Sequence, residues 1–231
     1  MDYSRDNVLS ELKLLATPEH FSKLSHFGIN DANALGIKIP LLRTFAKKIG
    51  KNHNLAIELW STQIHEARIL ASMIESPNVI TENQFDTWVS DFNSWDICDQ
   101  CCSVFGSTRF ALQKIEEYST SNEEFVKRTA FVLMCNEAVH HKQVGNEQFY
   151  RYLEIIEREA WDNRNFVRKA VNWALRQIGK RNEVLRLKAI ETAVLIQNQD
   201  SKSARWIATD ALRELKCDKV IERSKKKALH Y

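Results

Sequence analysis

The chain is poor in residues that interrupt helices, with six Gly and three Pro among 231, against roughly 12% in average usage. An all-β chain needs a turn signal about every eight to twelve residues, so this scarcity argues against one. Long apolar runs are also missing, and none approaches the ~18 residues of a membrane span. The acidic N-terminal stretch lacks a signal-peptide pattern, so a cytoplasmic protein with no membrane partner is expected. Five cysteines, an odd number without framework spacing, fit free thiols in a reducing compartment better than a secreted disulfide scaffold. No P-loop, dinucleotide fingerprint or nucleophile elbow occurs. Cys98-x-x-Cys101 is only half of a zinc pattern and falls at core spacing, so neither a metal nor a cofactor is expected.

What is present is ordinary globular material, 44% hydrophobic and 27% charged, which excludes disorder or low complexity as a description of the whole. The net charge of +3 conceals an asymmetry. Residues 1–160 carry 16 Lys and Arg against 22 Asp and Glu, whereas residues 161–231 carry 17 against 8. A basic C-terminal third points towards a polyanion more than the mean charge does. A solvated basic surface with a Lys-rich tail around Lys225, Lys226 and Lys227 is the plainer alternative.

Apolar residues recur at three- and four-residue spacing through Val8–Leu15, Ile39–Ile49, Leu55–Trp60, Ile64–Ile74, Phe85–Phe92 and onwards, as in amphipathic helices. Breaks at Thr17-Pro18, Gly50, Ser76-Pro77, Gly106-Ser107, Gly145-Asn146 and Gly179 are short and evenly spread. They predict a single domain over residues 1–231 with a basic tail from about residue 219. Phe125-Val-Lys-Arg128 matches Phe166-Val-Arg-Lys169 at an offset of 41, and Ala174-Leu-Arg176 matches Ala211-Leu-Arg213 at 37. Periods near 40 in a helical chain predict an all-α HEAT- or armadillo-like solenoid, whose corresponding helix faces form a concave binding surface.

Advancing 100° per residue from Phe166 puts Val167, Val171, Ala174, Leu175 and Ile178 on one side, and Lys169, Trp173, Arg176 and Lys180 on the other. Core packing does not require a tryptophan among three cations, because the helix already has a full apolar stripe. A Trp at the core edge under Lys and Arg stems is one explanation, and a stacking platform beside phosphate-binding charges is the other. On the helix from Ser203, Ala204, Ala208, Ala211 and Leu212 make the apolar side, opposite Trp206, Thr209 and Arg213. At the offset of 37, Trp206 takes the place of Lys169, and Arg213 that of Arg176. On the helix from Ser94, Ile97, Cys101, Val104 and Phe105 form the stripe, with Trp95, Asp99 and Cys102 away from it. Asp96 reads as a first-turn dipole residue. Arg128 has Phe131, Val132 and Cys135 as helical neighbours, so it needs an anion, either a carboxylate or a phosphate.

These residues resemble the AlkD-like DNA alkylation repair proteins, which are HEAT-like-repeat DNA glycosylases. The resemblance spans nearly the whole chain. It rests on Gly36-Ile-Lys-Ile-Pro40-Leu-Leu-Arg43, Ile64-His-Glu-Ala-Arg68, Ser94-Trp-Asp-Ile-Cys-Asp99, Phe125-Val-Lys-Arg128 and Phe166 through Arg176. It implies excision of positively charged N3- and N7-alkylated purines from double-stranded DNA, leaving an abasic site; a monomer is expected. In that picture Asp99 stabilises the oxocarbenium-like sugar, Trp95 and Trp173 pack on the lesion nucleotide, and Arg128 and Arg176 hold flanking phosphates. Lys169, Lys180, Trp206 and Arg213 extend the DNA-binding face. Ser94 stands where active members have a second Trp, and Cys98 replaces a small or apolar residue. Some relatives of this general fold bind DNA structures without excising bases, so a non-catalytic paralogue is an alternative. A helical-repeat protein scaffold is another.

Overall fold

Proline and glycine mark the ends of helices in the computed structural model, which describes residues 3–228, with side chains as far as Lys225. Among those residues there are fourteen α-helices, one 3-10 turn and no strand. The chain divides into two compact units, one ending at Ala111 and the other beginning at Leu112.

In the first unit the helices are α1 (Arg5–Leu15), α2 (Pro18–Phe21), α3 (Ile39–Ile49), α4 (His53–Ser61), α5 (His65–Ile74), α6 (Glu82–Ser90) and α7 (Trp95–Phe105), with the 3-10 turn at Ser25–Phe27. Pro18 and Pro40 sit in the first turns of α2 and α3, where a missing N–H costs nothing. Ser4, Asn52 and Thr81 cap α1, α4 and α6 by accepting from backbone N–H groups of the first turn. Helix α5 packs on α3, α4 and α7 and is buried almost all round. Its Glu66 accepts from the N–H groups of Leu35, Gly36 and Ile37 at 2.7, 2.7 and 3.1 Å, fixing the loop that leads into α3. Gly36 has φ +79°, and a Cβ there would lie 2.7 Å from the Phe21 backbone nitrogen, so only glycine fits. Aromatic stacking fills the other side of the unit, with Trp60 on Trp88 at 4.0 Å and Phe85 on Phe105 at 4.1 Å between centroids.

The second unit contains α8 (Ala111–Ser119, its first residue at the boundary), α9 (Glu124–His140), α10 (Asn146–Glu159), α11 (Asn165–Gly179), α12 (Glu183–Gln197), α13 (Lys202–Leu215) and α14 (Asp218–Ala228). Helix α11 packs between α9 and α13, and α12 contacts both α10 and α14. Cross-contacts α10–α11, α11–α12 and α12–α13 join the two rows. This alternate-helix stacking is what the periods of 41 and 37 predict. The equivalent Phe125 and Phe166 rings lie 5.6 Å apart. The predicted stripe of α11 is fully buried, and Ala204, Ala208 and Ala211 of α13 likewise. Leu212 is only half-buried, and Ile207 and Leu215 complete the stripe instead. The basic segment expected as a tail from about 219 is helical as far as Ala228. Its buried Ser224 donates to Glu183 at 2.6 Å, whereas the side chains of Lys226 and Lys227 lie outside the described set. No helix among the described residues is long and apolar enough to cross a membrane.

Two local features lock this stacking. A Cβ on Gly179 would meet the buried Leu215 side chain at 2.7 Å and the Ala189 Cβ at 3.0 Å, so α11, α12 and α13 approach closely because glycine ends α11. Gly179→Ala should therefore destabilise the protein by about 1–3 kcal/mol through overpacking, read as a lower Tm. The second feature is the buried Lys127 ammonium, 2.7 Å from Glu159 and 3.0 Å from Asp162, with Arg164 on Asp162 at 2.5 Å. A buried lysine is tolerated only with such partners. Burial pushes the Asp162 pKa up, but hydrogen bonds from Arg164 and Lys127 outweigh it and hold the carboxyl at about 2. A depressed folded pKa means that the contribution is complete above the unfolded carboxyl value and is lost as pH falls towards the folded one. Acid titration between about pH 4 and 2 should destabilise the wild type more steeply than Asp162→Asn, as followed by circular dichroism.

Candidate nucleic-acid interface

In the first unit, Ser94 precedes α7 in extended conformation and donates to Asp96 Oδ1 at 2.6 Å. The same oxygen accepts from the Ile97 N–H, and Asp96 Oδ2 lies 2.8 Å from His65 Nε2. Burial raises the Asp96 pKa, but His65, Ser94 and the Ile97 amide together bring it below the ordinary carboxylate value. Asp96 is therefore an ionised anchor between α5 and α7, a role beyond the helix-dipole position read from sequence. Trp95 is half-buried and its Nε1 donates to the Phe27 carbonyl at 3.0 Å. Asp99 follows one turn later on α7, also half-buried. Cys102 corrects the face assignment. The helical wheel puts it off the apolar arc, yet it is fully buried with Cys98 and Cys101, so the covered arc of α7 is wider than one stripe. Burial pushes the Cys101 and Cys102 thiols well up, so both are neutral.

Beside Trp95 a cleft of about 430 Å³ runs along Leu24, Phe27, Ile37, Pro40 and Ile69. Sequence reading did not find it, although the Gly36-to-Pro40 motif forms one wall. The Glu66 clamp and the Thr17 bonds to the Gly36 carbonyl hold that motif in place.

In the second unit, α11 presents Lys169 exposed and Trp173, Arg176 and Lys180 half-buried, as the helical wheel predicts. Trp206 of α13 is 39% exposed, and Arg168 stands 5.1 Å from its ring centroid, a cation–π pair that sequence reading missed. The chief omission is acidic. Arg176 is bound by Asp210 at 3.1 Å and Glu214 at 2.8 Å, and Lys180 by Glu214 at 2.7 Å. Asp210 also accepts from Asn172 at 2.8 Å and pairs with the exposed Arg213. The signal was available, since Asp210 occupies the register position of Trp173 one repeat later. Arg168, Lys169, Arg176, Lys180 and Arg213 still outnumber the two acids, so the face stays cationic. Beneath and beside it, four buried atoms, Arg168 Nε, Asn172 Oδ1, Arg176 Nε and Ser203 Oγ, have no hydrogen-bond partner among the described residues. Arg128 is buried and donates to the Phe166 carbonyl at 2.7 Å, so one of its contacts is with neutral backbone of the next repeat.

Stacked helix pairs with a cationic face that carries Trp173 and Trp206 define a helical-repeat protein. A family model described as DNA alkylation repair enzyme matches residues 8–215, and the chain belongs to that family. The fold is similar to a solved structure described as a new family of proteins related to the HEAT-like repeat DNA glycosylases with affinity for branched DNA structures. The TM-score is 0.77 at 18% identity, covering 92% of this chain and 95% of that one. A search of curated proteins returns no match.

If Arg176 contacts a DNA phosphate, Arg176→Ala should weaken binding to all sequences and lower the salt slope by about one. Glu214→Gln should do the opposite, tightening duplex binding by releasing Arg176 and Lys180 from a competing carboxylate. Fluorescence anisotropy across a salt series reads both.

Proposed function

We propose that the chain is a DNA glycosylase that hydrolyses the N-glycosyl bond of cationic N3- and N7-alkylated purines in duplex DNA. The observation carrying this reading is the placement of Asp99, half-buried on α7 one turn beyond Trp95. Asp96 on the same helix is bound to His65, Ser94 and the Ile97 amide.

An alkylated purine carries a positive charge, so it departs without a strong general acid. The electron pair of the C1′–N bond neutralises the ring, and the sugar develops oxocarbenium character. A carboxylate held near C1′ stabilises that charge and orients water. The water oxygen bonds to C1′, its proton passes to the carboxylate or solvent, and an abasic site and a neutral free base result. Asp99 has that role in the proposal, with the Trp95 indole beside it as a packing surface for the deoxyribose. On the second unit, Trp173 and Trp206 offer apolar platforms, and Arg128, Lys169, Arg176, Lys180 and Arg213 supply the charge for backbone phosphates. No step uses a metal or cofactor, and the acting species is a monomer.

Asp99→Asn should reduce release of 7-methylguanine from methylated duplex by about 10²-fold or more, with binding to undamaged duplex retained. Equal release by both proteins would sink the assignment. A second reading, binding of branched DNA without excision, is favoured by the description of the structural neighbour. A wild type that releases no base but prefers a four-way junction to a duplex would establish it.

A further inference from the structure

We infer that the first unit makes its own contact with a DNA backbone, in a trough with Arg43 and Lys47 of α3 on one wall and Gln100, Ser103 and Ser107 on the other. Helices α3 and α7 both pack on α5, whose last turn lies at the base of the trough. Two adjoining hollows form it. One, of about 350 Å³, is lined by Arg43, Lys51, Gln100, Ser103 and Ser107, together with Ser72 and Met73 of α5. The other, of about 390 Å³, shares Arg43, Lys51 and Met73 and adds Lys47. No carboxylate is among the residues that line either. Residues 1–111 hold 13 Asp and Glu against 10 Lys and Arg, so a hollow with three cations and no acid is not a by-product of a basic unit.

Arg43 and Lys47 stand one helical turn apart on α3, which puts their side chains on one face. Both are exposed, and neither has a hydrogen-bond or ion-pair partner among the described residues. Gly50 follows with φ +76°, a backbone conformation that glycine adopts without strain. Beyond this bend the Asn52 N–H donates to the Ile74 carbonyl at 2.9 Å, and Lys51 lies against the end of α5. Its ammonium donates to the Met73 and Glu75 carbonyls at 3.2 and 2.5 Å. Last-turn carbonyls carry negative partial charge, and Lys51 covers two of them. Lys51 is thus an anchored cation, while Arg43 and Lys47 are able to swing onto a ligand. The Glu75 carboxylate is engaged by His53, Gln84 and the Ser76 amide and takes no part in the lining. On the other wall, Gln100, Ser103 and Ser107 recur at intervals of three and four, along one face of α7 and the turn beyond it.

A ring of cations encloses one small anion, whereas a row tracks a chain of them. The cations here form a row, and the opposite wall offers neutral hydroxyl and amide groups. Proteins hold phosphodiester backbone with that combination. Helix α7 also bears Trp95 and Asp99, so a strand held in the trough lies against the helix to which the proposed function assigns the chemistry.

The assignment rests on the reading that the chain binds DNA, and the test keeps the two apart. Arg43→Gln/Lys47→Gln removes the two movable cations, and Ser103→Ala/Ser107→Ala removes hydroxyls without changing charge. The control, Lys13→Gln/Lys48→Gln, removes two exposed cations of the same unit that do not line the trough. In fluorescence anisotropy with undamaged duplex, the first variant should bind at least about three-fold more weakly, with a salt slope lower by about one to two. The serine variant should lose about two-fold at unchanged slope, because neutral contacts release no counterions. The control should change little. Equal losses in the first variant and the control would overturn the proposal in favour of a diffuse field, and a serine variant equal to wild type would overturn the two-walled trough. Inorganic phosphate, against chloride at equal ionic strength, gives a second readout. A phosphate-dependent rise in Tm that is lost in the first variant while duplex binding is kept would overturn the backbone source in favour of a small anion. A wild type that binds no DNA overturns the DNA reading and this assignment with it, whereas failure of the trough alone leaves wild-type binding intact.

Discussion

Each helix of a stacked pair buries one face against the same elements of the next pair, and that constraint organises the second unit. It explains why Phe125 touches Phe166 and why glycine ends α11 against Leu215 and Ala189. It also explains why an alanine-rich stripe suffices for α13, since small residues let α11 and α12 approach it closely. Once one face is committed, a tryptophan on the other is not needed for folding. Trp173 stays half-buried and Trp206 exposed because the core is already complete, which makes them informative about function.

Charge is handled differently at depth and at the surface. Deep in the unit, Lys127 is fully compensated by Glu159 and Asp162, and an unpaired ammonium there would unfold the local structure. On the α11–α13 face, Asp210 and Glu214 hold Arg176 and Lys180 in fixed positions but only half-buried. Partners of this kind add little stability and preset the geometry of the guanidinium, so a phosphate meets an ordered cation at the cost of competing with a carboxylate. The buried Arg181 guanidinium donates to the carbonyls of Ala138 and His141, which fixes it at the end of α9.

The two acids of α7 show the same economy in the first unit. Adjacent turns give one carboxylate to the α5–α7 junction and the other to the half-buried face beside Trp95. Asp96 holds α7 against α5 through His65, and the Glu66 clamp next to His65 sets the loop before α3. A single turn of α5 thus fixes both the helix carrying Trp95 and one wall of the neighbouring cleft.

Sequence alone determined the helical class, the repeat period and the buried stripe of α11, because these follow from spacing along the chain and from the burial that spacing requires. It also separated Trp95, Asp99, Trp173 and Arg176 from the core, since a wheel with a complete apolar arc leaves the remaining positions outward. Only tertiary structure decided what those outward groups meet. Cys102 is buried although it lies off the apolar stripe of α7, and Arg176 faces Asp210 and Glu214 because α13 lies beside α11. Arg43 of α3 and Ser107 after α7 line one trough although they are far apart in the chain. Periodicity encodes which face of a helix turns inward. Pairing across helices depends on register and crossing between elements, which no single helix carries.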